Sequence, residues 1–142
     1  MDRPILPRVE RPVSRLVLGQ SAPAEVLPDL YDRFVELGGN AFETARWYPT
    51  EPALGRWLAG RTDRSDLFVA TKGCHPAVQD GPPRVNPEAI RQDLAESLSR
   101  LQIDRVDQVH FVAAPLEFAD DEFRCARAQA VAPHGPQQDR DL

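Results

Sequence analysis

The sequence predicts an α/β fold that is half of a (β/α)8 TIM barrel, about four parallel βα units. Three observations lead there. Short β-type apolar runs alternate four times with stretches of helical periodicity, the order expected of parallel βα units. Connections of that kind are right-handed, which favours a curved sheet with its helices on one side. A closed eight-stranded barrel takes roughly 250 residues, whereas this chain has 142. No glycine-rich dinucleotide fingerprint follows the first run, so a doubly wound sheet fits less well.

The first unit pairs "RLVLGQ" at 15–20 with "PDLYDRFVELGG", where Leu30, Phe34 and Leu37 stand at helical spacing. Pro28 suits its first turn and Gly38 its C-terminal cap. In the second unit "NAFETA" at 40–45 reads as a strand. The helix after it carries Leu54, Trp57 and Leu58, with Thr50 as its predicted cap and Gly60 at its end. "DLFVATK" at 66–72 is the clearest strand and "NPEAIRQDLAESLSRLQ" at 86–102 the clearest helix. Asn86 is predicted to cap that helix, Pro87 to open it, and Ile90, Leu94, Leu98 and Leu101 to form its apolar stripe. "VDQVHFVA" at 106–113 is the fourth strand. The half-barrel domain is expected over 1–115, with a short acidic-ended helix and a disordered tail over 116–142.

Composition narrows the functional classes. The chain is 42% hydrophobic and 27% charged, which is globular rather than disordered. A net charge of −5 gives no basic footprint for nucleic acid. No apolar run approaches a membrane span and the N-terminus lacks a signal-peptide core, so a cytoplasmic protein is expected. Cys74 and Cys125 match no metal spacing, and both are expected to be free thiols with no metal bound. Of 17 basic residues, Lys72 alone is lysine. An ammonium kept where arginine is otherwise used points to a role that a planar guanidinium cannot fill.

In parallel barrels function gathers at the C-terminal ends of the strands. Glu43 ends the second strand, Tyr48 lies in the loop after it, and Lys72 ends the third. Strand alternation turns Phe68, Ala70 and Lys72 inward and Leu67, Val69 and Thr71 towards helices. The same logic turns Gln108, His110 and Val112 inward on the fourth strand, and Val109 and Phe111 outward. A tyrosine is a poor acid at neutral pH; a neighbouring ammonium stabilises its phenolate, and a carboxylate can fix the ammonium. Glu43, Lys72 and Tyr48 can therefore act as orienter, tuner and acid. Isolated acid–lysine pairs are ordinarily structural, and loop tyrosines ordinarily pack on the surface. The residues by themselves leave both readings open.

Three longer segments resemble one family. "GGNAFETARWYPTEPALGRWL" resembles the aldo-keto reductase pattern G-x-N-x-x-D-T-A-x-x-Y followed by E-x-x-x-G-x-x-L. "LFVATK" is similar to that family's third strand, which ends in its catalytic lysine, and "LAESLSRLQIDRVDQVHFV" to the S-L-x-x-L-x-x-D-x-x-D-L-x-x-x-H region. The resemblance runs in order over residues 12 to 113. It implies a (β/α)8 scaffold that reduces carbonyls with NADPH. It further implies that Tyr48 is the proton donor, Lys72 its partner, and Glu43 the carboxylate where aspartate belongs. The family's histidine position falls on Val112. His110, about 6–7 Å deeper along the strand, is a candidate catalytic substitute or an interior histidine, and His75 is a second stand-in.

The family's NADPH contacts come mostly from the fifth to eighth strands, which this chain lacks. The expectation is a truncated enzyme using the Tyr/Lys/carboxylate corner for acid–base chemistry on a carbonyl compound, with no cofactor bound. The alternatives are an NADPH-dependent carbonyl reductase completed by a partner chain, and a non-catalytic fragment acting through oligomerisation. Exposed strand edges and an open inner sheet face predict a homo-oligomer, with a small molecule as substrate and neither nucleic acid nor membrane as partner.

Overall fold

The computed structural model describes residues 1–7, 9–76, 81–82 and 84–112. The short helix and tail expected over 116–142 lie outside the described residues. Four parallel strands stand in sequential order: β1 (Val17–Leu18), β2 (Ala41–Glu43), β3 (Phe68–Gly73) and β4 (Gln108–Phe111). Helices α1 (Leu27–Glu36), α2 (Glu51–Ala59) and α3 (Pro87–Leu101) make the crossovers between them. Successive neighbours joined by helical crossovers form half of a (β/α)8 barrel.

Parity along the strands builds two cores. On the helix side Phe42, Leu67 and Val69 pack with Leu27 and Tyr31 of α1, Ala53, Leu54 and Leu58 of α2, and Leu101 of α3. Phe42 is the hub: its ring lies 5.7 Å from Tyr31, 5.5 Å from Phe34 and 5.1 Å from Trp57. Burying a side chain of that size stabilises by about 1.5–3 kcal/mol. On the inner face Val13, Ala41, Phe68 and Ala70 form a smaller cluster. The N-terminal segment supplies Val13 and folds back on itself through an Ile5–Pro12 antiparallel bridge, which the sequence did not foretell. Asn40 anchors it at the N-terminal end of the sheet, donating to the Pro12 carbonyl (2.9 Å) and accepting from the Ser14 amide (2.7 Å). The opposite, C-terminal rim carries the loops described below.

Several local expectations are corrected. The buried face of α1 is Leu27 and Tyr31, with Phe34 half-buried, whereas Leu30 and Leu37 are 40% and 55% exposed. The helix is rotated so that its tyrosine, whose hydroxyl donates to the buried Gln20 side chain, takes the inside. Burial of that phenol pushes its pKa up to about 12. Thr50 stands at the N-cap of α2 but makes no side-chain cap bond, its backbone being already helical. Asn86 does cap α3, accepting from the Ala89 amide at 2.9 Å. The fully buried line of α3 is Ala89, Asp93, Ser97 and Leu101, two of them polar, while Ile90, Leu94 and Leu98 lie half-buried beside it. Gly55 lets α2 and α3 touch, since a Cβ there would fall 2.1 Å from the Arg100 carbonyl oxygen.

Candidate active site

Glu43 and Lys72 come together because β2 and β3 pair in parallel, Glu43 beside Ala70, with Lys72 two residues further along the same face. The Lys72 ammonium makes an ion pair with Glu43 Oε1 and donates to the Thr44 carbonyl oxygen at 3.2 Å. Gly19, just past β1, lies beside this pair: a Cβ there would stand in ordinary contact, 3.8 Å from Glu43 Oε2. The ammonium also lies 4.6 Å from the centre of the Tyr48 ring, a cation–π approach to the ring. Burial pushes the Lys72 ammonium below the ordinary lysine value, while contact with the Glu43 carboxylate works in the opposite direction.

The histidines take different places. His110 pairs in register with Lys72 on the neighbouring strand and is exposed on the open inner face. It is therefore not the interior histidine expected as one alternative; no strand beyond β4 covers it among the described residues. Val112, at the family's histidine position, is half-buried and donates its backbone amide to the Gly73 carbonyl at 2.9 Å. His75 lies in the loop after β3, its ring stacked on Trp47 at 5.8 Å and 24°. Its Nδ1 is buried without a hydrogen-bond partner among the described residues. Burial, then the nearby Lys72 charge, hold the imidazole below its ordinary value and so favour the neutral ring.

Two buried carboxylates support the rim, and the sequence reading singled out neither as a site residue. Glu51, the fully buried first residue of α2, accepts from Thr71 Oγ1 (2.9 Å) and Ser97 Oγ (3.3 Å), and its amide donates to the Tyr48 carbonyl (3.2 Å). Burial raises its pKa despite those two hydroxyls. Asp93, 2% exposed, accepts from the Cys74 amide (2.7 Å) and from Arg84 (3.0 and 3.2 Å), and pairs with Arg46 Nε at 3.2 Å. Burial would raise its pKa, but the hydrogen bonds from Arg84 and Cys74 and the Arg46 charge outweigh it, and the carboxyl falls below its ordinary range. Gly73 makes room for it, because a Cβ there would meet Asp93 Cβ at 3.2 Å. The signal in the sequence is an acid four residues before a serine on one helix face, beside an apolar stripe that by itself fits the buried side.

The arginines of this rim are committed to protein partners. Arg46 holds Asp93 and Glu96, Arg84 holds Asp93 and the His75 carbonyl, and Arg100 holds Glu96 and the Arg46 carbonyl. Lys72 is taken by Glu43. A dinucleotide needs cations or helix N-termini aimed at its phosphates, so these residues do not fit an NADPH phosphate site. Among the described residues no group of His, Cys, Asp and Glu could hold a metal ion, and no helix is long and apolar enough to cross a membrane.

The fold and the rim together define a parallel βα half-barrel with a carboxylate, an ammonium and a phenol ring gathered at the C-terminal ends of its strands. Residues 16–122 match the sequence profile described as the Aldo/keto reductase family, and the chain belongs to that family. It is 33% identical to norsolorinic acid reductase stcV of Emericella nidulans over 91 residues, 57% of this chain and 24% of that protein. It is 32% identical to Protein tas of Escherichia coli over 139 residues, 78% of this chain and 38% of that one. The solved holo structure of aldo-keto reductase AKR11C1 from Bacillus halodurans superposes with a TM-score of 0.67 at 26% identity, covering 91% of this chain and 46% of that one. The chain thus spans less than half the length of each of these relatives.

Proposed function

We propose that the Glu43–Lys72–Tyr48 corner performs acid–base chemistry on the carbonyl group of a small molecule, and that this chain by itself does so without NADPH. The reaction class is isomerisation, dehydration or cyclisation. The observation that carries the reading is one ammonium held between a carboxylate and a phenol ring at the strand ends. Tyr48 donates its proton to the carbonyl oxygen as the neighbouring C–H bond breaks and its proton passes to solvent water, giving the enol. Lys72 stabilises the phenolate left behind, and Glu43 fixes the ammonium. A loss of about 100- to 10,000-fold on removing the phenol hydroxyl is the usual size for a general acid.

The test needs no knowledge of the full reaction. Small aldehydes and ketones incubated with the protein in deuterium oxide are followed by NMR for exchange at the carbon next to the carbonyl. Exchange that Tyr48→Phe abolishes supports the reading, and equal exchange in a folded Tyr48→Phe variant refutes it.

A second reading is favoured by the similarity to norsolorinic acid reductase, whose name gives it a reductase activity. In it a partner chain supplies the nucleotide-binding half and the same corner serves carbonyl reduction. Calorimetry decides between the two: a micromolar or tighter NADPH dissociation constant for the complex with such a partner, absent for the 142-residue chain alone, would replace the first reading with the second.

A further inference from the structure

We propose that Asp93, a buried acid on α3, is a positioning residue that sets the Tyr48 ring against the Lys72 ammonium. The proposal rests on the reading of those two residues as the reactive pair, but its test does not depend on activity.

Asp93 sits where the two rim loops converge. Its Oδ2 accepts from the amide of Cys74, a non-glycine residue held at φ 64°. That left-handed conformation costs energy for any residue with a Cβ, so it persists because something holds it. It falls two residues after Lys72 and so fixes the strand end that aims the lysine. Oδ1 faces Arg46 Nε at 3.2 Å. The Arg46 amide donates to the Lys72 carbonyl at 3.0 Å, its carbonyl accepts from Arg100, and Tyr48 follows two residues later. The Tyr48 amide closes a turn onto the Ala45 carbonyl at 2.8 Å. Through Arg84, which also donates to the His75 carbonyl at 3.0 Å, the same carboxylate tethers the loop after β3.

One buried charge therefore joins the loop carrying the phenol to the strand end carrying the ammonium. Helix α3 acts as a rigid bracket behind both. A purely structural ion pair has no need to bridge these particular segments, and Asp93 reaches them by backbone and guanidinium contacts within hydrogen-bond range. Its energetic leverage is large, because a buried hydrogen bond to a charged group is among the stronger ones.

The sequence supplies a direct reporter. Lys72 is the sole lysine, so the protons on its ε-carbon give one assignable NMR signal, displaced by the ring current of Tyr48. Tyr48→Leu removes the ring and gives the undisplaced position. In Asp93→Asn, which keeps shape and loses charge, the displacement should fall by half or more. Amide protection at Arg46 and Cys74 should fall about 10- to 100-fold, the size of one lost hydrogen bond to a charged group, while amides of β2 and α1 keep theirs. Arg46→Gln cuts the arm to the Tyr48 loop together with the Arg46–Glu96 bond and should reproduce the loss of displacement, whereas Glu96→Gln, which spares Asp93, should not; the two decide the matter if Asp93→Asn does not fold. A displacement unchanged in the folded variants, with protection lowered evenly along the chain, would make Asp93 a structural residue only and overturn the proposal. That result would leave the carbonyl-exchange test of Tyr48→Phe untouched.

Discussion

The Lys72 ammonium touches the Glu43 carboxylate while lying 4.6 Å from the centre of the Tyr48 ring, so the single lysine of the chain joins an acid on β2 to a phenol on the following loop. Three groups from two strands and one loop meet at the Lys72 ammonium. The relationship follows from parallel register: Glu43 and Lys72 share the inner face, two residues apart in height.

Lys72→Met should lower the carbonyl-exchange rate nearly as much as Tyr48→Phe, about 100-fold or more. Methionine keeps the volume and the packing over the ring but leaves the phenolate without a counter-charge. Glu43→Gln should cost less, because the ammonium persists and keeps its bond to the Thr44 carbonyl. Exchange rates of the two variants at one pH check this ordering, and a Lys72→Met rate equal to wild type would contradict it.

Glu51 gives the protein an unusual pH profile. Its folded pKa is raised above 4.5 by burial, so its contribution to stability is full below that value and is lost as pH rises through the folded pKa. Thermal midpoints should therefore fall between acid and neutral pH by an amount that Glu51→Gln abolishes. Asp93, with a lowered pKa, acts in the opposite sense and weakens the fold only as pH falls below 3.8. Melting curves of wild type and Glu51→Gln from pH 4.5 to 8 test the sign; parallel profiles would remove Glu51 as the cause.

Gly55→Ala should destabilise by about 1–3 kcal/mol or more, the range for overpacking a tight contact. The added Cβ would sit 2.1 Å from backbone of α3, which cannot swing aside as a side chain would. Urea titration of the variant measures the loss. A midpoint equal to wild type would mean that the helices separate at no cost.

His110→Ala should leave the protein folded, because the residue is exposed and its truncation opens no cavity. Its effect on the exchange rate should stay within a few-fold. A loss of about 100-fold in a stably folded variant would instead identify His110 as the substitute for the histidine that Val112 replaces.

The 142-residue chain should self-associate at micromolar concentration in light scattering. Strands β1 and β4 are the outer strands of the four, and Leu16 and Val17 are 61% and 53% exposed. Parallel edges that no further strand covers among the described residues invite pairing. A well-folded monomer would refute this expectation.

The alternation of runs and helical stretches determined the architecture, because period 2 and period 3.6 are written directly into residue order. Strand parity likewise placed Leu67 and Val69 against the helices and Phe68 and Ala70 inside. Asn86 was legible as a cap because capping is a local bond. Tertiary structure decided what depended on partners distant in sequence. Leu30 and Leu37 fit a helical stripe as well as Leu27 and Tyr31 do, and only the position of Phe42 and Gln20 selects the second set. The polar line of Asp93 and Ser97 reads as a surface in sequence and is buried in the fold, since Arg46, Arg84, Cys74, Thr71 and Glu51 arrive from other elements to satisfy it. Burial of a charge is settled by its partners, and residue order does not reveal which loops will bring them.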